Sequence, residues 1–167
     1  MLRGETMTTI TQEMRDCIKA AGLCFAATVN PDGTPNLSPK ATLTAVDDAH
    51  LAFANIASPN TARNLRRNPA IELNVVDIFL RRGFRFSGTA RLFEAGSVEY
   101  ERFAGEVWAR IGRNYPIFEI VLIEVQTARE VRSPGYEFGG FGDDASIRAT
   151  YHRAYGVQPL APAKTAG

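Results

Sequence analysis

"PNLSPKATLTAVDDAHLAFAN", residues Pro35 to Asn55, decides how this chain folds. Strand alternation puts Asn36, Ser38, Lys40, Thr42 and Thr44 on one face and Leu37, Ala41, Leu43 and Ala45 on the other. The spacing predicts a strand from Leu37 to Val46, a turn at Asp47-Asp48 and a second strand from His50 to Asn55. A turn that short joins antiparallel neighbours, since a parallel pair needs a crossover of a dozen residues or more. The two strands are therefore expected to pair with each other.

The same reading extends in both directions. Ile10, Met14, Cys17, Ile18 and Ala21 recur at helical spacing, predicting a helix over 9–21 opened by a capping box of Thr9 and Gln12. Leu23–Val29 reads as a buried strand, and Asn30-Pro-Asp-Gly33 as a turn. Ile71–Val76 and Phe84–Phe93 are further strands, joined through Arg81-Arg82-Gly83. In the latter, Phe84, Phe86, Ala90 and Leu92 alternate with Arg85, Ser87, Thr89 and Arg91. Gly96–Ile111 is helical through Val98, Phe103, Val107, Trp108 and Ile111, and Phe118–Val131 is the last strand. Ser133–Gly142 reads as a flexible glycine-rich loop before an Asp-capped helix, Asp144–Tyr155. The expected fold is mainly β: a six-stranded antiparallel barrel, closed or nearly so, with a few flanking helices. One domain spans 1–155, and the Pro/Ala-rich 156–167 is expected to be a disordered tail, dispensable for ligand binding.

Composition narrows the function. A formal net charge of +1 over 167 residues argues against a nucleic-acid surface. No apolar run approaches the ~18 to 20 residues of a membrane span, and the N-terminus lacks the apolar core of a signal peptide. Cys17 and Cys24 stand among apolar neighbours and read as a buried, reduced pair in a cytoplasmic protein. His50 and His152 are far apart, so no metal site is expected. Motifs for a serine nucleophile, a P-loop and a zinc helix are all missing. An enzyme built this way would rely on a bound cofactor.

One polar stretch offers a place for it. In "SPNTARNLRRNP", Ser58 to Pro69, Ser58-Pro59 makes a turn and Asn60 or Thr61 caps a short helix over 61–67. A helix N-terminus attracts anions through its free N–H groups. Ser58, Asn60, Thr61 and Asn64 add uncharged donors, although the same residues suit a plain capped helix.

The order of "SPK" on one strand and "T-x-x-N-L-x-x-N-P" after the next resembles the pyridoxamine 5′-phosphate oxidase-like, FMN-binding split-barrel superfamily. The resemblance covers about Leu23 to Arg132. It implies a homodimer with FMN at the subunit interface. Ser38, Pro39, Lys40, Ala41 and Thr42 would border the flavin ring. Asn55 and Ser58 would line the ribityl side, and Asn60, Thr61 and Asn64 would hold the phosphate. Lys40 would face the ring edge where reduction collects negative charge.

Some residues depart from the vitamin B6 oxidases themselves. Those enzymes carry Arg and Lys where Asn60 and Thr61 stand, a glutamine where Gly83 stands, and an Arg-x-His signature absent from "SPGYEFGGFGDDASIRATYHRAYG". The expectation is an FMN-dependent oxidoreductase whose substrate is not pyridoxamine phosphate. An F420-dependent reductase and a non-catalytic flavin carrier or sensor are the alternatives. Tyr136, Phe138 and Phe141 either shape a substrate pocket, within one chain or across the dimer, or simply pack.

Overall fold

The computed structural model describes residues 9–158. Helix α1 (Gln12–Ala21) is followed by β1 (Cys24–Val29), β2 (Pro35–Lys40), β3 (Thr44–Ala45) and β4 (His50–Asn55). Then come α2 (Pro59–Arg67), β5 (Ala70–Asp77), β6 (Arg82–Glu94), α3 (Val98–Ile111), β7 (Glu119–Arg132) and α4 (Asp144–Tyr155). One antiparallel sheet orders its strands β2-β1-β5-β6-β7-β4-β3 and curls into a split barrel.

The Pro35–Asn55 stretch behaves differently from its sequence reading. The predicted strand Leu37–Val46 is two strands, β2 and β3, so the sheet has seven rather than six. The β2 half pairs with β1, from Cys24↔Lys40 to Val29↔Pro35. Only Thr44 and Ala45 pair with β4. The two halves occupy opposite edges of the sheet, and Ala41–Leu43 carries the chain across the seam. A single straight strand cannot hydrogen-bond to both edges of a curled sheet, so the backbone leaves the ladder at the crossing.

Packing explains the other elements. Phe53, Leu73, Val75, Phe86, Val121 and Ile123 fill the barrel, and Ile18 of α1 closes one end. Phe86 is 1% exposed, and Phe86→Ala in such a core costs about 3 to 5 kcal/mol. The α1 cap is Thr11, whose hydroxyl accepts from Met14 N, in place of the expected Thr9–Gln12 box. Across the sheet, Tyr100, Phe103, Ala104 and Val107 seat α3 against β7. Val98, expected on that face, is solvent-exposed; Tyr100 takes the inner position and donates its hydroxyl to Ile117 O at 2.6 Å. Strand β6 keeps its predicted alternation, with a bulge between Ser87 and Gly88 where it pairs with β7.

The C-terminal segment packs more tightly than a flexible loop. A 3-10 turn, Pro134–Tyr136, lays the Phe141 ring directly over Gly135, where any Cβ would sit within 2.4 Å of the ring. Phe141 stacks edge-on against Tyr136 and Tyr151. Asp143 caps α4, as expected, by accepting from Ser146 N at 2.8 Å. Two ion pairs, Arg82 with Asp144 and Arg148 with the buried Asp77, fasten α4 to the β5–β6 turn. Of the expected tail, residues 159–167 lie outside the described residues. Among the described residues, no helix is long and apolar enough to cross a membrane. Both cysteines are free thiols, with Cys24 buried but Cys17 only half-buried.

Candidate functional site

The crossing of the seam leaves Ala41–Leu43 without ladder partners, and Thr42 compensates. Its buried hydroxyl accepts from Ala54 N at 2.9 Å and donates to Ala54 O at 3.5 Å, doing for β4 what a neighbouring strand's backbone would do. This stitch holds the crossover beside β4 and opens a cleft of about 570 Å³ between them. Ser38, Pro39, Lys40, Ala41, Thr42 and Ser58 line the cleft, with Tyr115 after α3 closing one side.

Lys40 is the charged group of this cleft. It is 5% exposed, and its ammonium donates to Ser38 Oγ and to Pro39 O, with the Phe53 ring 5.4 Å away. Among the described residues no carboxylate pairs with it, and burial lowers its pKa below the ordinary lysine value. A buried ammonium without a counter-charge favours an anion or an electron-rich edge placed beside it.

A chain of hydrogen bonds sets the other wall. Asn55 Nδ2 donates to Glu119 Oε2 at 2.5 Å. Glu119 is buried and also accepts from Arg66 Nη2 at 2.5 Å, a bond that raises the Arg66 pKa above the ordinary arginine value. The other end of the Asn55 amide accepts from Ser58 N at 3.2 Å and from Ser58 Oγ at 2.5 Å. The Ser58 hydroxyl is thus committed to Asn55. Helix α2 starts at Pro59, two residues before the predicted start, so Ser58 occupies the cap position in place of Asn60 or Thr61. No side chain caps the helix, and its first N–H groups are left without a side-chain acceptor beside Ser58.

The predicted phosphate residues part company on α2. Asn60 is exposed, with its side-chain oxygen accepting from Arg63. Thr61 and Asn64, each 1% exposed, face the sheet. Asn36 Nδ2 donates to Thr28 Oγ1 at 3.0 Å and to Thr61 Oγ1 at 3.2 Å. Asn64 Nδ2 donates to Thr28 Oγ1 at 3.1 Å and to Asn30 Oδ1 at 2.9 Å, leaving its own Oδ1 buried without a partner. The polar stripe of β2 therefore turns toward α2, while Leu37 is 65% exposed. That reverses the usual sense of an amphipathic strand.

Asn55, Thr61 and Asn64 stand behind the cleft wall, while six of the other predicted residues line it. Sequence reasoning missed Ala54, Ile56, Ala57, Ile111 and Tyr115. The indole of Trp108 donates to Tyr115 O at 3.0 Å and so holds that loop, a contact with no local sequence signal. Gly83 lies inside β6, where a Cβ would meet Val75 O at 1.9 Å, so no side chain fits there. Tyr136 and Phe141 pack on each other and do not line this cleft, and Phe138 is exposed.

A curled antiparallel barrel, split where Ala41–Leu43 crosses the seam, defines the class of flavin-binding split barrels. The chain belongs to the pyridoxamine 5′-phosphate oxidase family, whose pattern its residues 10–137 match. Among solved structures it is similar to HupZ of Group A Streptococcus, at 30% identity and TM-score 0.66 over 74% of this chain and 95% of that one. An FMN-binding protein from Syntrophomonas wolfei is 16% identical, TM-score 0.62, over 73% and 86% of the two chains. An F420 reductase is 18% identical, TM-score 0.56, over 71% and 98%. The last two likenesses are of fold alone. Among curated protein sequences, none matches this chain.

Proposed function

We propose that this chain is an FMN-binding oxidoreductase that works as a homodimer, on a substrate other than pyridoxamine phosphate. The observation that carries the reading is the uncapped N-terminus of α2 at Ser58, on the wall of the same cleft that holds Lys40. The residues present fit FMN. The phosphate would sit at the N–H groups of Asn60 and Thr61, with Ser58 beside it and Asn64 bracing the helix from its buried face. The ring would lie along Ser38–Thr42, with its electron-rich edge toward Lys40.

When bound, FMN supplies redox chemistry that no side chain of this cleft can perform. The protein's part is positioning and charge. Thr42 fixes the crossover, Asn55 holds Ser58 off the helix, and Lys40 provides a cation in low-dielectric surroundings, which favours added negative charge beside it. Among the described residues that line this cleft, the Lys40 ammonium and the Tyr115 hydroxyl are groups able to pass a proton, alongside substrate and solvent. Gly83 and the missing Arg-x-His support a substrate different from that of the B6 oxidases.

The outer face of β1 and β2 supports the dimer. Phe25 pairs with Pro39, Ala27 with Leu37 and Val29 with Pro35, and Phe25, Val29 and Leu37 are 44%, 43% and 65% exposed. A contiguous apolar face of this kind on a sheet edge is what a second copy would cover.

The test is the chromophore released when purified protein is denatured by heat. FMN in the supernatant supports the reading, whereas released F420 or a colourless protein that binds no added FMN overturns it. Anaerobic reduction by NADH or NADPH then separates an oxidoreductase from a carrier or sensor.

A further inference from the structure

A second cleft, of about 490 Å³, lies on the other side of the crossover, under α1. Lys40 and Ala41 line both clefts, so only the crossover separates them. Its apolar wall includes Ile18, Leu43 and Val75, all buried residues of the barrel core. Every charged residue that lines it is cationic: Arg15, Lys19, Lys40 and Arg110. Arg15 pairs with Asp48, which is 82% exposed and outside the lining. Lys19 and Arg110 form no ion pair among the described residues. The Lys40 ammonium has three N–H donors and two acceptors, Ser38 Oγ and Pro39 O, so one donor is left over.

Same-sign charges around an apolar concavity raise the local concentration of the opposite charge and bury the rest of its carrier. An inorganic anion would leave the apolar wall wet, and a neutral apolar molecule would leave Lys19, Arg110 and the spare Lys40 donor unanswered. We propose that this cleft binds an amphipathic organic anion, a carboxylate on an alkyl or aryl body, as the substrate class for the neighbouring flavin cleft. Its role as substrate rests on the flavin reading above; its binding does not.

The experiment uses the full chain and two dyes, the anion 8-anilinonaphthalene-1-sulfonate and its uncharged analogue N-phenyl-1-naphthylamine. Lys19→Gln with Arg110→Gln removes two exposed charges that form no ion pair among the described residues. The variant should bind the anion about 10-fold more weakly, the scale of two partly solvated ion pairs, and the neutral dye unchanged. Decanoate should displace the anion from wild type where decanol does not. Equal losses for both dyes, or none for the anion, overturn the proposal, and the latter would mean the dye sits on the exposed β1–β2 face. FMN affinity, measured on the same samples, is expected to be unaffected by the variant. A wild type that discriminates between the dyes but binds no FMN would leave the cleft standing and remove the flavin reading.

Discussion

Asn55 donates to the buried carboxylate of Glu119, 64 residues further along the chain, across 2.5 Å. The bond fixes the rotamer of the amide whose other end engages Ser58, and so keeps the Ser58 hydroxyl away from the helix it precedes. Asn55→Ala would free that hydroxyl to cap α2 and compete with a phosphate for the same N–H groups. The variant should lose about 1 to 3 kcal/mol of stability in urea titrations, through the carboxylate left short of a donor. FMN affinity should fall about 10-fold relative to riboflavin, which carries no phosphate. Equal changes for the two ligands would place the phosphate elsewhere.

Thr61→Val probes the same turn differently. The Thr61 hydroxyl accepts from Asn36 inside the protein, and Asn36 keeps Thr28 as a second acceptor. About 1 kcal/mol of stability should be lost, with FMN and riboflavin affinities moving together. A loss confined to FMN would mean that the hydroxyl leaves Asn36 to meet the phosphate.

Lys40 carries a pH signature. Burial lowers its folded-state pKa below the ordinary 10.5, so between the two values the unfolded chain holds more protons than the folded one. Stability from this group therefore rises with pH across that interval, and the penalty is fully present below the folded pKa. Lys40→Met lacks the penalty. Its thermal stability, relative to wild type, should be greatest near neutral pH and the gap should narrow toward pH 10. Parallel curves would show that Lys40 ionises as an ordinary surface lysine.

The two thiols should differ in reactivity. Burial pushes the Cys24 pKa up to about 12, with Lys40 pulling weakly the other way. At pH 8 about one Cys24 in ten thousand is then thiolate, and the side chain is 1% exposed. Ellman's reagent should modify Cys17 slowly in the native protein and leave Cys24 intact, with both reacting in guanidinium. Rapid native labelling of Cys24 would show that the end of the barrel beside α1 opens.

Leu37→Glu tests assembly. The residue is 65% exposed in the single chain, so monomer stability should change by less than about 0.5 kcal/mol. Sedimentation should nonetheless show wild-type dimers and monomeric variant at micromolar concentration. A dimer in both would place the interface on another face.

Local pattern alone determined much of this protein. The alternation of Phe84 to Leu92, the Asn30–Gly33 turn, the α1 stripe and the Asp143-capped α4 form as their own residues dictate, because each depends on neighbours a few positions away. Alternation also marked Ser38, Lys40 and Thr42 as a polar stripe, while the full run Ser38 to Thr42 that borders the cleft came from the family resemblance. Tertiary structure decided the rest. A period of two says which side chains share a face, but not which face meets the core. The polar side of β2 turned inward because α2 brings Thr61 and Asn64 to meet Asn36 and Thr28. Likewise, nothing near Ser58 in sequence announces Glu119, which holds Asn55 in place. The strand broke at Ala41 because its two halves hydrogen-bond to opposite edges of one curled sheet, and the two ends of a seven-strand order come within three residues of each other only when the barrel closes.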